Sequence, residues 1–398
     1  MSIYVTVPQS PSTHQMTLEE LFSGADFSRY CRTNEGNTVT RVADAWKITE
    51  LCHKKPWLQD SAYGFAAQME RAFGNFNEAH KNLKSVDRQE LYDTFFIPKA
   101  SGGLRRIDAP KPELMLALRD LKDIFENVCG ASSMYHTSAF AYIRGRSTID
   151  SIKKHQQHGS KWFLKLDCHG FFPSTTIEFV EKQFAKIFPF SLLYSFGREK
   201  ELHDALELCF LNGGLPQGTP ISPLITNIMM IPIDHVLFNG LKNCKELKES
   251  LVYTRYADDI LISGRYKFNW RKVQAGVVRA FEAFDAPFTL NAKKTRFGSV
   301  SGSNWNLGVM LTPNPNNRDE LIMTVGRQKK KRLETMLFNY ARDRKAGRPW
   351  DLADIQEMQG FASYIRMVEG EVCDRIISHV SQKTGMNIPE QIKRDLAG

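Results

Sequence analysis

The sequence predicts an α+β fold, and three observations carry the prediction. Residues 251–263, Leu-Val-Tyr-Thr-Arg-Tyr-Ala-Asp-Asp-Ile-Leu-Ile-Ser, read as two apolar strands joined by a tight acidic turn at Asp258 and Asp259. Upstream, residues 161–167 read as a short apolar strand that ends at Asp167. On both flanks of this strand-bearing centre, residues 1–86 and 327–365 repeat apolar residues at helical spacing instead.

Taken in order, residues 1–86 carry helical patterns at 17–22, 42–52 and 62–73 and no catalytic motif. Lys99 and Arg105 straddle Ser101-Gly102-Gly103, a hairpin turn signature. Two cations on such a hairpin can close over a triphosphate, with Arg offering a bidentate fork. Residues 177–211 read as helical, and Leu215-Pro216-Gln217-Gly218 as a loop. There Pro fixes the backbone and Gly removes side-chain bulk beside a ligand. The apolar stretch 221–231, with Ser222, Thr226 and Asn227 embedded, reads as a buried helix. Lys293 and Lys294 fall in a strand-to-turn segment. Arg327-Gln-Lys-Lys-Lys-Arg332 leads a helix with Leu333, Met336, Leu337 and Tyr340 on one face, ending near Ala346-Gly347-Arg348-Pro349. Asp351 reads as the N-cap of the next helix, with Leu352, Ile355, Met358 and Ile365 on its apolar face.

The acidic residues carry the chemistry. Two neighbouring carboxylates at a hairpin tip repel each other, and nothing in the local sequence offsets this, so a cation is the natural partner. Hard divalent ions such as Mg²⁺ take carboxylate oxygens together with substrate phosphates. An Asp-Asp turn alone is an ordinary hairpin, and Asp167 alone an ordinary turn or cap residue. Together the three suit two metal ions that clamp the attacking and leaving oxygens of a phosphoryl displacement.

These segments, in this order, resemble the motifs of bacterial reverse transcriptases related to group II intron and retron enzymes. The resemblance spans roughly residues 88 to 310. It runs from Phe96-Ile-Pro-Lys99 through Arg105 to Pro110, then His136 through Arg144, Arg146 and Ser147, then the Asp167 strand. It continues with Gly213 through Gln217 to Asn227, Tyr256-Ala257-Asp258-Asp259, Thr289 through Lys293 and Lys294, and a primer-grip turn at Asn306-Leu307-Gly308. It implies a right-hand polymerase fold: a helical N-terminal extension over 1–86, fingers over 87–155, a palm of antiparallel sheet and helices over 156–310, and a helical thumb over 311–398.

The same resemblance implies an RNA-directed DNA polymerase in which Asp167, Asp258 and Asp259 are catalytic and hold two Mg²⁺ ions, with Mn²⁺ able to replace them. It assigns Lys99, Arg105 and Gln217 to the incoming dNTP. Phe172, five positions after Asp167, matches the aromatic that lies beneath the sugar and clashes with a ribose 2′-OH, whereas Phe171 reads as packing. Lys293 or Lys294 neutralises triphosphate charge. Nucleic-acid contacts fall to Arg144, Arg146, Leu307, Gly308, Arg327, Lys329, Lys330, Lys331 and Arg332, the last five as a basic helix face on phosphates. The partners implied are a structured, dedicated RNA template, the cDNA product and dNTPs. A homo-oligomer or an accessory defence protein is left open.

Retron enzymes typically carry Asn-Ala-x-x-His and Val-Thr-Gly, where this chain has Ser151-Ile152-Lys153-Lys154-His155 and Thr324-Val325-Gly326. Diversity-generating enzymes typically lack the Gln present here as Gln217. The ninety residues after Gly308 leave no room for both a thumb and an RNase H or endonuclease domain. These departures place the chain among the compact, stand-alone bacterial reverse transcriptases, many associated with antiphage defence. A retron enzyme or a maturase-like RNA-binding splicing factor is the alternative.

Composition agrees. A net charge of +9 with pI about 9.1 favours a polyanionic partner, and 42% hydrophobic residues support a core. The seven cysteines (Cys31, Cys52, Cys129, Cys168, Cys209, Cys244, Cys373) form no Cys-x-x-Cys pair, against a zinc or disulfide framework. No apolar run reaches the roughly 18 residues of a membrane span, and no signal peptide is visible, so the expected location is cytoplasmic with no membrane partner.

Overall fold

The computed structural model describes residues 56–99, 102–243, 247, 249–302 and 306–397. The expected helices at 17–22 and 42–52 lie outside the described residues, as do Ser101, Cys31, Cys52 and Cys244. In chain order the elements that matter below are helix α1 (Pro56–Ala79), strands β1 (Tyr92–Pro98) and β2 (Leu104–Pro110), helices α2 (Pro112–Asp123) and α3 (Thr148–Gln157), strand β3 (Trp162–His169), and helices α4 (Ile177–Phe184), α5 (Phe190–Ser195) and α6 (Lys200–Leu206). Helices α7 (Ser222–Met229) and α8 (Ile231–Asn243), strands β4 (Val252–Tyr256) and β5 (Asp259–Gly264), helix α9 (Trp270–Ala283), and strand β6 (Thr289–Leu290) follow. Strands β7 (Met310–Pro313) and β8 (Leu321–Thr324) and helices α10 (Arg327–Lys345), α11 (Leu352–Val368), α12 (Gly370–Thr384) and α13 (Ile388–Ala397) complete the chain. The mixture of helices with antiparallel strands is the α+β class expected.

The chain forms two compact units, Met1–Ser147 with Leu164–Phe297, and Thr148–Phe163 with Gly298–Gly398. They do not coincide with the four expected regions. Helix α3 falls in sequence within the expected fingers, yet it packs with β8, where Gln156 Nε2 donates to the Leu321 carbonyl at 2.6 Å. The break before the C-terminal unit lies after Phe297, ahead of the expected thumb boundary.

In the first unit, Ala62, Ala66, Met69, Phe73 and Phe76 recur three and four residues apart along α1, and all are buried. Phe73 meets Phe125, which meets Phe184 of α4 and Phe190 of α5, with ring centroids 4.6–6.0 Å apart through the group. The expected helical segment between Asp167 and the Pro-Gln-Gly loop is therefore α4, α5 and α6, folded onto α1. Helix α7 is buried along nearly its whole length. It does not run on through the expected 221–231. The chain bends by 45° into α8, because Pro232 has no N–H to continue the ladder to Ile228. No single described helix is long and apolar enough to cross a membrane.

The central sheet runs in the order β4-β5-β3-β6. Strands β4 and β5 form the expected hairpin, but its turn is Ala257-Asp258 and not Asp258-Asp259, because Asp259 already pairs with Tyr256 and Val252 pairs with Ser263. The apolar-in pattern has one exception. Arg255 is fully buried in β4 and forms an ion pair with the equally buried Asp234 of α8 at 2.8 Å. Both carboxylate oxygens accept from the guanidinium, the Tyr253 hydroxyl donates to the same carboxylate at 2.7 Å, and the Asn227 side-chain oxygen accepts from the guanidinium at 3.3 Å. Burial alone would push the guanidinium pKa down; the Asp234 charge and its hydrogen bonds outweigh that and hold it up.

The second unit has its own core. Leu333, Leu337, Tyr340 and Ala341 of α10 pack with Ile355, Met358 and Ile365 of α11, Cys373 and Val380 of α12, and Ile388 of α13. Helix α10 ends at Lys345, and Gly347 just beyond it takes a left-handed φ of 70° ahead of Pro349. Leu352 was expected on the buried face of α11 but is 53% exposed. At about 100° per residue it points about 140° away from Ile365, so it cannot share that face.

Removing one member of a buried pair strands the other charge, at a cost of about 3–5 kcal/mol. Asp234→Ala should lower the unfolding free energy by about that much in urea titration. A loss under about 1 kcal/mol would show that Arg255 is not held by this pair.

Candidate active site

The acidic hairpin tip is strained in a specific way. Ala257 and Asp258 form a two-residue turn, and Ala257, the first of the two, adopts a left-handed φ of 55°. Gly is the usual residue there, and a residue with a Cβ held in this region costs roughly 1 kcal/mol or more. Arg255 offsets the strain from beneath, donating to the Ala257 carbonyl at 3.2 Å. The same residue fixes the strand in the sheet. Its N–H donates to Ser138 at 2.7 Å, and its carbonyl accepts from Phe140 at 2.9 Å. Asn227 extends the network to the Ala141 carbonyl at 2.8 Å. The buried helix α7 therefore holds the second motif and the acidic turn together.

Backbone bonds bring the three aspartates into one site. The Cys168 N–H donates to the Asp258 carbonyl at 2.9 Å, and the Asn291 N–H donates to the Asp167 carbonyl at 2.8 Å. Asp167 sits at the end of β3, Asp259 at the start of β5, and Asp258 between β4 and β5. Lysines flank two of them: Lys294 bonds Asp167 at 2.9 Å, and Lys165 bonds Asp259 at 3.0 Å. Asp258 has a raised pKa, caused first by desolvation, then by the Asp259 and Asp167 charges, with its own backbone bond and Lys294 pulling the other way. As they stand, no three carboxylate, imidazole or thiol groups among the described residues converge on one point. The donor set is nevertheless all oxygen and mutually repulsive, which fits a hard divalent cation, and the two ammonium groups sit where cationic charge is already favoured. Of the two candidate lysines, only Lys294 reaches an aspartate; the Lys293 side chain is exposed.

The fingers hairpin closes as the sequence indicates. Strands β1 and β2 pair antiparallel, with Ile97 opposite Arg105, and the Lys99 and Gly103 backbones are joined at 2.9 Å. Lys99 and Arg105 are both exposed. The Pro-Gln-Gly loop lies against β2, where the Asp108 N–H donates to the Gln217 carbonyl at 2.8 Å. Gly218 has φ 124°, and a Cβ there would stand 2.9 Å from the Asp108 carbonyl, so the close approach excludes a side chain. Phe171 packs on Phe288 at 5.1 Å and on Phe172 at 5.6 Å. Both phenylalanines are buried, and the Phe172 carbonyl accepts from Leu215 at 3.0 Å, which ties it to the same loop.

Arg144 is exposed, whereas Arg146 donates to the carbonyls of His136 and Ala139 at 2.5 and 2.7 Å and so braces its own loop. In the second unit Lys329 bonds the Gly308 carbonyl, Lys330 bonds Glu369 at 2.6 Å, and Arg332 bonds Glu357 at 2.9 Å. Arg327 and Lys331 are exposed. The basic run is thus partly turned inward on its own helices.

Several site residues escaped the sequence reading. Lys165 lies within the Asp167 strand. Asp234 and Arg255 are charges inside apolar runs, a signal that was present. Tyr142 is exposed at a left-handed φ of 60°. Partial desolvation and the Asp258 charge push its hydroxyl pKa up while Arg105 pulls it down, so both charges act on this one side chain.

An acidic hairpin beside a strand-end aspartate, with a basic hairpin and a buried helix around it, defines a nucleotidyl-transferring polymerase palm. The reverse transcriptase (RNA-dependent DNA polymerase) family model matches residues 97–331, and the chain belongs to that family. The Retron Ec73 reverse transcriptase of Escherichia coli is 30% identical over 229 residues, covering 56% of this chain and 68% of that protein. The Retron Ec83 reverse transcriptase of Escherichia coli is 26% identical over 333 residues, covering 79% and 94%. The Retron Mx65 reverse transcriptase of Myxococcus xanthus is 26% identical over 300 residues, covering 73% and 64%. The relatives therefore favour the retron alternative over the stand-alone placement drawn from two motif departures. Part of the first motif survives here: His155 is present in α3, fully buried, with burial the largest cause of a pKa lowered to about 3.

The raised Asp258 pKa gives a signed expectation. A carboxyl whose folded pKa lies above its unfolded value adds stability that is present in acid and lost as pH rises through the folded pKa. Asp258→Asn removes that loss. Without divalent ions the variant should melt at a higher temperature than the parent at neutral pH, and the gap should close below about pH 4, where an unfolded Asp protonates. A gap that is constant from pH 4 to 8 in thermal-shift measurements would mean that burial and the neighbouring charges do not raise the Asp258 pKa.

Proposed function

We propose that this RNA-directed DNA polymerase, acting on an RNA template and dNTPs, copies a dedicated, structured non-coding RNA and that Asp167, Asp258 and Asp259 form its catalytic centre. The observation that carries the assignment is the backbone-fixed acidic trio with Lys165 and Lys294 on two of its members. The regions read as extension, fingers, palm and thumb supply the surrounding grip. The resemblance supports a part in antiphage defence, and a cytoplasmic location belongs to the same proposal.

The three aspartates would hold divalent ions, Mg²⁺ by preference, which when bound supply charge stabilisation for the transferring phosphate and activate the attacking hydroxyl. The remaining work belongs to the chain. Lys99 and Arg105 bind the triphosphate from the fingers hairpin, and Lys294 adds a positive charge beside Asp167. Gln217 lines the nucleotide through a loop held rigid against Asp108. Phe172, fixed by the same loop, backs the sugar. Leu307 and Gly308 hold the primer, while Arg144, Arg327 and Lys331 present exposed positive charge for phosphates.

Extension of a primed RNA by labelled dNTP tests the assignment directly. Asp258→Ala or Asp259→Ala should abolish incorporation and leave RNA affinity close to the parent, since affinity comes mostly from phosphate contacts. Near-normal extension by Asp258→Ala in Mg²⁺ would remove the trio from the reaction.

Sugar selection is a separate readout. Phe172→Val should raise rNTP use relative to dNTP, because the steric clash it relieves is of the order of 1–3 kcal/mol. An unchanged dNTP to rNTP ratio would place the gate elsewhere, with Phe171 next in line.

A further inference from the structure

The turn between Asn306 and Val309 is held from outside itself. Its two ends exchange N–H···O bonds of 2.9 Å, and its centre is doubly left-handed, with φ 50° at Leu307 and 85° at Gly308. Leu at such a φ is strained. The Gly308 carbonyl accepts two bonds at once: Lys329 Nζ of α10 at 2.7 Å and the Tyr364 hydroxyl of α11 at 2.7 Å. Lys329 also donates to the Tyr364 oxygen at 3.2 Å, with its ammonium 5.0 Å from that ring centre. A Cβ at position 308 would stand 2.7 Å from the Tyr364 oxygen, so the phenol seats on a glycine.

We infer that Lys329 and Tyr364 are positioning residues that lock the Leu307-Gly308 turn to the C-terminal helices, and that this lock keeps the primer strand in place between additions. The inference rests on the proposed reading of the turn as the primer contact. It gives Lys329 a different task from a phosphate contact. An ammonium shared by a carbonyl and a phenol is half-buried and fixed in direction, whereas a phosphate contact works from an exposed side chain. It also adds Tyr364, which no motif marks. Both helices clamp one carbonyl, so a tilt of either is transmitted to the turn. Strain at Leu307 means that the turn relaxes once released.

Tyr364→Phe removes one hydroxyl and Lys329→Met one ammonium, and two measurements on the full chain separate the outcomes. The first is amide hydrogen exchange over residues 306–313. The second is dissociation of a primed RNA template, followed with a trap across a salt series. Exchange should quicken in both variants, and the primed template should leave several-fold faster, with the salt slope unchanged. The double variant should be little worse than the more severe single one, because both bonds end on one carbonyl. In Tyr364→Phe the rate of first-nucleotide addition at saturating template should match the parent. Unchanged exchange overturns the clamp. A shift of the salt slope by roughly 0.7–0.9 in Lys329→Met, with Tyr364→Phe silent, makes Lys329 a phosphate contact and overturns it too. Leu307→Ala is the control for the primer reading. If it speeds dissociation while the two clamp variants quicken only exchange, the positioning role is wrong. If none of the three changes dissociation, the turn does not hold the primer, and the inference fails with that reading.

Discussion

The Arg255–Asp234 pair is the constraint on which the acidic turn depends. A guanidinium with no exposure sits in the strand that leads to the acidic turn, and its carboxylate partner comes from a helix twenty-one residues earlier. Such a pair is not a cheap source of stability, since desolvating two charges consumes most of what their attraction returns. Its value here lies in direction. The planar fork has five donors, and the structure directs them to Asp234, Asn227 and the Ala257 carbonyl. One residue thereby aligns a helix, a strand and a strained turn. A hydrophobic residue could fill the same volume, but it could not hold the Ala257 carbonyl.

Above that buried pair, charge balance changes sign. The aspartates are packed closely enough to raise the pKa of Asp258, and Lys165 and Lys294 meet two of them from neighbouring elements. The result is a surface where negative charge is concentrated and only partly compensated. A site of this kind favours cations whose ligands are oxygen. Beside it, the Tyr142 hydroxyl feels the Asp258 and Arg105 charges with opposite sign.

The C-terminal basic run carries a more general lesson about counting charges. Five cations in six residues suggest a uniform phosphate-binding face. In the structure three of them close contacts with Gly308, Glu369 and Glu357, and Glu369 also accepts from Thr324 and the Val325 N–H. Lys330 is therefore part of a junction between β8 and the loop before α12. Helix position does not sort them, since Lys329 and Lys330 are adjacent and both find acceptors; the partners within reach decide. Arg327 and Lys331 are four apart and both exposed, which leaves them as the pair available to a polyanion.

The order of the motifs, the acidic trio, the existence of the hairpins and the two-helix core of α10 and α11 were all legible from the residues alone, while the register of the β4-β5 hairpin was one residue off. Each is a local pattern: alternation along β4 and β5, 3.6-residue spacing along α10, glycines at Gly102 and Gly103 where the chain must turn left-handed. The sequence also determined the family, since several short motifs in one order are a specific signal even when no single one is. What it could not decide was which charged groups meet. Arg255 and Asp234, Lys165 and Asp259, and Lys329 with Tyr364 and Gly308 are joined by folding across elements, and no periodicity along the chain records such pairings. Leu352 is a different case, because helical geometry at about 100° per residue already sets it off the face of Ile365, so its exposure was written in the spacing. Tertiary structure alone turned the charge run into a mixture of braced and exposed cations, because the energy of a charge depends on the partner and the burial it finds and not on its neighbours in sequence.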